Sequence, residues 1–86
     1  MRVVLYTVSH ECPLCDEVRA HLTALRRHHA FTVEEVLVDR DPRLAVRYAL
    51  RVPVVEVDGR EVGFGKVDPR ALQTAVSGGG TVAPRS

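Results

Sequence analysis

The sequence predicts an α/β domain: a four-stranded mixed sheet between three helices, with element order β-α-β-α-β-β-α. Three observations carry this. Two β-branched runs, residues 2–8 and 31–38, bracket a stretch of helical periodicity at residues 13–29, which makes a βαβ unit. Asp58-Gly59 separates two short apolar runs and signals a hairpin. A capping residue followed by proline occurs three times, at Cys12-Pro13, Asp41-Pro42 and Asp68-Pro69, and each marks a helix start.

In residues 2–8, Val3, Val4, Leu5, Tyr6 and Val8 are nearly continuous in hydrophobicity, as in a strand covered on both faces. The helix over 13–29 carries Cys15, Val18, Leu22 and Leu25 as one apolar stripe. Its basic end, Arg26-Arg27-His28-His29, suits the negative end of a helix dipole. Residues 31–38 return parallel to the first strand through a right-handed crossover, and Glu34-Glu35 marks an exposed edge. A short helix over 42–50 turns Leu44, Ala45, Tyr48 and Ala49 inward. It stops near Arg51-Val52, because a residue before proline is biased to extended geometry. Residues 53–57 and 60–64 are the hairpin strands. In the second, Val62 and Phe64 alternate, and Gly63 and Gly65 point to a close backbone approach. The last helix starts at Asp68-Pro69 and runs through Val76, with Leu72 and Val76 inward, until Ser77-Gly78-Gly79-Gly80 ends it. Residues 1–77 thus form one domain, and 78–86 read as a disordered tail.

A chain of 86 residues holds one small domain. A net charge of +1 gives no global electrostatic case for nucleic acid or membrane partners. Two cysteines are too few for a secreted disulfide scaffold, and the N-terminal apolar run is too short for a signal-peptide core or a membrane span. The expected setting is a monomer in a reducing compartment, the cytoplasm.

The two cysteines, Cys12 and Cys15, are both at the junction of the first strand and first helix. With Cys12 as N-cap, Pro13 at the first helical position loses nothing by lacking an N–H. Cys12 then faces unpaired backbone N–H groups at the positive end of the helix, a setting that favours thiolate, the nucleophilic form. Cys15, almost one turn on, lies on the same side and begins the buried stripe. The pattern assigns attack on a substrate disulfide to Cys12 and resolution of the mixed disulfide to Cys15. Sulfur caps a helix poorly compared with a carboxylate, so reactivity rather than structure accounts for Cys12. A structural zinc site would need further ligands beyond His10-x-Cys12-x-x-Cys15, and His21, His28 and His29 lie down the helix. A c-type haem would need histidine where Asp16 stands. A purely structural bridge across two residues closes almost no loop. His10, if protonated, would favour the Cys12 thiolate, while Glu11, Asp16 and Glu17 would oppose it.

Taken together, Val4-Leu5-Tyr6, Cys12-Pro13-Leu14-Cys15, the Asp41-Pro42 helix start and Arg51-Val52-Pro53-Val54-Val55 resemble a glutaredoxin over residues 2–76. They are more similar still to the short glutaredoxin-like bacterial proteins. The resemblance implies a thioredoxin fold with strand order 2-1-3-4 and the third strand antiparallel to the first. It implies a cis Val52-Pro53 bond facing the cysteine pair, with the Val52 backbone pairing with substrate or glutathione. It implies dithiol–disulfide exchange on protein or low-molecular-weight disulfides, with no resident metal or organic cofactor and with electrons from glutathione or a reductase. His10, Pro13, Leu14, Arg51, Val52 and Pro53 would line the substrate side. The chain departs from the family pattern at three places. No lysine precedes the first cysteine, Gly63-Phe64-Gly65-Lys66 stands where a Gly-Gly and an acidic pair are usual, and Arg51 replaces a threonine. The competing readings are a metal- or iron–sulfur-binding module on the same fold and a redox-inert adaptor.

Overall fold

The computed structural model describes the backbone of residues 1–81 and the side chains of residues 1–77. The elements are β1 (Arg2–Thr7), α1 (Pro13–Leu25), β2 (Thr32–Leu37), a 3-10 turn (Val38–Arg40), α2 (Pro42–Tyr48), β3 (Val54–Val57), β4 (Arg60–Phe64) and α3 (Pro69–Thr81). The four strands form one sheet of order β2-β1-β3-β4. β1 pairs parallel with β2 and antiparallel with β3, and β3 pairs antiparallel with β4. Fold class, element order and strand order all agree with the sequence-based expectation.

Alternation along β1 divides the core. Val3 and Leu5 point to a large cluster with Val18 and Leu22 of α1, Val55 and Val57 of β3, and Leu72 and Val76 of α3. On the opposite face, Val8, Val38, Tyr48 and Val54 form a smaller cluster, with Tyr6, Leu44, Val52 and Cys12 packed against it. Two helices thus cover one face of the sheet and the seven-residue α2 covers the other. The expected two-sided burial of β1 is complete on the first face. On the second, Val4 and Tyr6 stay half-buried, because α2 is too short to cover them.

The boundaries differ from expectation at several ends. α1 stops at Leu25 rather than residue 29. Its stripe ends there, and the N–H groups of Arg27 and His28 turn to carbonyls three residues back, those of Ala24 and Leu25. α2 ends at Tyr48 rather than residue 50, with the Arg51 N–H closing a turn onto the Tyr48 carbonyl. Val8 and Phe31 fall just outside their strands yet remain buried, as does Val38, which opens the unexpected 3-10 turn. Pro53 precedes β3 instead of starting it. α3 continues past Val76 through the glycine run to Thr81, and local propensity does not account for that extra turn. The tail expectation for 82–86 lies outside the described residues.

At the hairpin, Asp58 and Gly59 have φ of 50° and 86°, the paired positive values of a two-residue turn that matches strand twist. In the ladder, Val55 faces Gly63 and Glu56 faces Glu61, so Val62 is left as a bulge. A side chain on Gly63 would meet Val67 at 3.3 Å, so the expected close approach is made by a side chain rather than by backbone.

A polar clamp fixes α1 to the sheet. Arg19 donates from Nε and Nη2 to the Glu35 carboxylate at 3.1 and 2.6 Å, and from Nη1 to Asp16 at 2.7 Å. The buried Thr7 hydroxyl donates to Glu35 at 2.8 Å. The Arg19 guanidinium, helped by Thr7, holds the Glu35 carboxyl below the usual carboxylate range. A depressed folded-state value contributes stability that is fully present above the unfolded value, about 4.3 for Glu. That contribution is lost as pH falls through the folded value. Glu35→Gln should therefore cost about 0.5–1 kcal/mol at pH 7, since the clamp is partly exposed. In urea titrations the gap between the two proteins should stay constant from pH 7 to 5 and close below pH 4.

Candidate active site

The loop from Thr7 to Cys12 leaves the C-terminal end of β1 and delivers the first cysteine to the start of α1. It is anchored by Asp39, whose carboxylate accepts from the Ser9 N–H at 3.1 Å and from the Ser9 hydroxyl. These bonds hold the Asp39 carboxyl below its ordinary range. The 3-10 turn therefore has a positioning role that the sequence did not signal.

Cys12 is the N-cap of α1, with extended backbone (φ −151°, ψ 93°), and Pro13 follows at the first helical position. The Cys12 Sγ accepts from the Cys15 N–H at 3.2 Å. Asp41 and Asp68 occupy the same place at the other helix starts, each accepting at 2.9 Å from the N–H two residues on. The sulfur thus stands where a carboxylate oxygen would stand, among donors arranged for negative charge. Cys12 and Cys15 are joined as a disulfide, with Cα atoms 5.2 Å apart. Cys12 is half-buried, whereas Cys15 is 1% exposed at the head of the stripe it shares with Val18 and Leu22.

The Val52-Pro53 peptide bond is cis. Val52 and Cys12 both pack against the cluster of Val8, Val38, Tyr48 and Val54. Gly65, at φ 64°, donates its N–H to the carbonyls of Pro53 at 2.8 Å and of Arg51 at 3.1 Å, which ties the proline segment to the end of β4. Pro53 is buried, Pro13 and Leu14 are exposed at the first turn of α1, and His10 is exposed with its Nδ1 3.3 Å from the Glu11 carbonyl.

Arg51 is engaged within the chain. Its guanidinium bonds both carboxylate oxygens of Glu61, at 2.8 and 2.6 Å, and lies 4.5 Å from the centre of the Phe64 ring. Phe64 is correspondingly exposed; in the sequence it is only an alternating strand residue. Lys66 pairs with Glu17 at 2.6 Å and links the loop after β4 to α1. Behind Cys12, Tyr6 and Tyr48 stack at 4.4 Å. Among the described residues, no group of three or more His, Cys, Asp or Glu side chains is arranged to hold a metal ion, and no helix is long and apolar enough to cross a membrane.

A mixed sheet of order β2-β1-β3-β4, with a dithiol at its first strand-to-helix junction and a cis proline ahead of β3, makes this a thioredoxin fold, and known proteins agree on the fold. The family profile described as Glutaredoxin-like domain (DUF836) matches residues 2–77, and the chain belongs to that family. The X-ray structure of the protein XcR50 from X. campestris is similar at TM-score 0.69 and 34% identity, over 88% of this chain and 96% of that one. A point mutant of thioredoxin from Halobacterium salinarum NRC-1 is similar at TM-score 0.62 and 24% identity, over 90% and 72% of the two chains. Wheat glutaredoxin gives 0.51 and 22%, over 94% and 76%. The last two share the fold. None of the curated proteins matches the chain.

Burial, with Glu56 and Tyr48 adding to it, pushes the Tyr6 hydroxyl up to about 12. An unfolded tyrosine ionises near 10. Stability should therefore fall as pH rises above about 10, until the folded group ionises as well. In a Tyr48→Phe variant Tyr6 is the sole tyrosine. Its phenolate absorbance should rise with a midpoint still above the free value of about 10, because burial and Glu56 remain, and below that of the wild type, because the Tyr48 hydroxyl is gone.

Proposed function

We propose that the protein is a dithiol–disulfide oxidoreductase that reduces protein or low-molecular-weight disulfides. The observation that carries this reading is Cys12 standing as the N-cap of α1, its sulfur accepting a backbone N–H and already bridged to the buried Cys15.

In the reduced protein, the Cys12 thiolate is stabilised by the helix-start donors. It attacks one sulfur of the substrate disulfide; the substrate S–S bond breaks, and the departing thiolate takes a proton from solvent. Cys15, shielded until then, loses its proton and attacks the Cys12 sulfur. That breaks the mixed disulfide and expels the second substrate thiolate, which is protonated in turn. The substrate gains two electrons and two protons, and the protein is left with the Cys12–Cys15 bridge seen in the structure. A thiol or a dithiol reductase must return the electrons. Glutathione is one candidate donor, but Arg51 is occupied by Glu61 and Phe64, and Gly63-Phe64-Gly65-Lys66 replaces the usual acidic stretch. Both features favour a reductase. His10, Pro13, Leu14, Val52 and Pro53 are read as the substrate side, the Val52 backbone as the strand that an extended substrate segment pairs with. The reducing setting that this chemistry needs fits a cytoplasmic monomer.

Cys12→Ser should lower turnover of a glutathione mixed disulfide or of insulin by roughly a hundredfold or more. Cys15→Ser should instead trap a mixed disulfide on Cys12, visible as a mass increase that dithiothreitol removes. Full activity in Cys12→Ser would overturn the assignment. Coupling the protein in turn to glutathione reductase and thioredoxin reductase, and following NADPH oxidation, identifies the donor.

A further inference from the structure

Among the described residues, five large apolar side chains are exposed: Met1, Leu14, Val46, Leu50 and Phe64. Four of them belong to the redox end or to the helix leading to it. Leu14 lies between the cysteines, and Phe64 pairs with Val54 at the start of β3. Leu50 immediately precedes Arg51-Val52-Pro53, and Val46 is one helical turn behind it. Val46 is 90% exposed and Leu50 fully so, and no side chain among the described residues covers them. Buried Tyr48 fixes which way α2 faces and so turns Val46 outward, while Leu50 stands in the turn that follows the helix.

The same outer face carries Arg43 and Arg47, spaced four apart like the apolar pair. Among the described residues Arg43 has only Asp41, at 3.8 Å, and Asp41 already caps α2. Arg47 lies against the Tyr48 ring at 5.4 Å and has no carboxylate partner among the described residues. Arg40 in the preceding turn has none either. Over residues 39–47 three arginines stand against Asp39 and Asp41, whose carboxylates are engaged by Ser9 and by the α2 cap, which leaves a positive surplus on an apolar strip.

From this juxtaposition we infer that the outer face of α2 is a docking surface for a protein partner whose disulfide is flanked by acidic and apolar side chains. The inference rests on the redox reading above and deepens it by naming the substrate class. Charge decides the occupant: a second copy would set Arg43 and Arg47 against their own equivalents, whereas an acidic segment pairs with them while covering Val46 and Leu50. Continuity through Arg51 to Val52, which packs on the same cluster as Cys12, carries such a segment toward the dithiol.

The test uses three substrates: uncharged hydroxyethyl disulfide, a disulfide-cyclised peptide with glutamates and a leucine beside its bridge, and the same peptide with lysines for the glutamates. Arg43→Glu/Arg47→Glu should lower kcat/KM about tenfold on the glutamate peptide, raise it on the lysine peptide, and leave hydroxyethyl disulfide unchanged. The wild-type preference for the glutamate peptide should shrink at high salt. Leu50→Ser should slow both peptides. Binding is read separately from amide shifts of residues 43–50 on adding the glutamate peptide in a cysteine-to-serine form. Shifts there without any turnover would defeat the redox reading and keep the docking surface. Turnover that is indifferent to peptide charge, with no such shifts, would overturn the docking surface and leave the redox reading standing. Concentration-dependent dimerisation through residues 43–50, or their binding to anionic vesicles, with peptide rates unaltered, would also overturn it.

Discussion

One sulfur atom is constrained from two sides, and the architecture follows from that. From the front, the Cys15 N–H points at Cys12 Sγ, as the helix-start amides of α2 and α3 point at aspartate oxygens. From behind, Cys12 rests on the cluster of Val8, Val38, Tyr48 and Val54. The first constraint needs a helix beginning where β1 ends; the second needs α2 and the start of β3 brought beneath that junction. The sheet order β2-β1-β3-β4 meets both needs, because it centres β1 and sets β3 beside it.

Much of this was legible in the residues. Three cap-and-proline pairs placed three helix starts correctly, because capping is a local bargain between one side chain and the next few amides. Asp58-Gly59 placed the hairpin because both residues must take positive φ. Helix ends were less legible: α1 stops when its stripe stops, although Arg26 to His29 are acceptable in a helix. The cis bond before Pro53 came from likeness to known proteins, since spacing carries no mark of it.

The polar partnerships were the least legible part. Asp39 with Ser9, Glu35 with Thr7 and Arg19, and Arg51 with Glu61 and Phe64 join residues far apart in the chain. A charged residue in sequence reads as a solvated one until the fold supplies its partner. Glu34-Glu35 illustrates the limit. Both lie on the edge strand, as the pair suggested, but Glu35 turns out to clamp α1, while Glu34 meets Arg2 on the surface.

The two faces of the sheet are covered to different depths, and each cysteine leans on a different one. Cys15 heads a stripe set into the thicker layer under α1 and α3; Cys12 is backed by the thinner layer, roofed by seven residues. Brief openings of a small domain start where the least apolar surface must be uncovered. The half-buried sulfur is therefore mounted on the thinner side of the molecule, and its buried companion on the thicker side. On the dithiol reading proposed above, such a mounting would let the outer sulfur swing toward visitors of different shape while the inner one keeps a constant address.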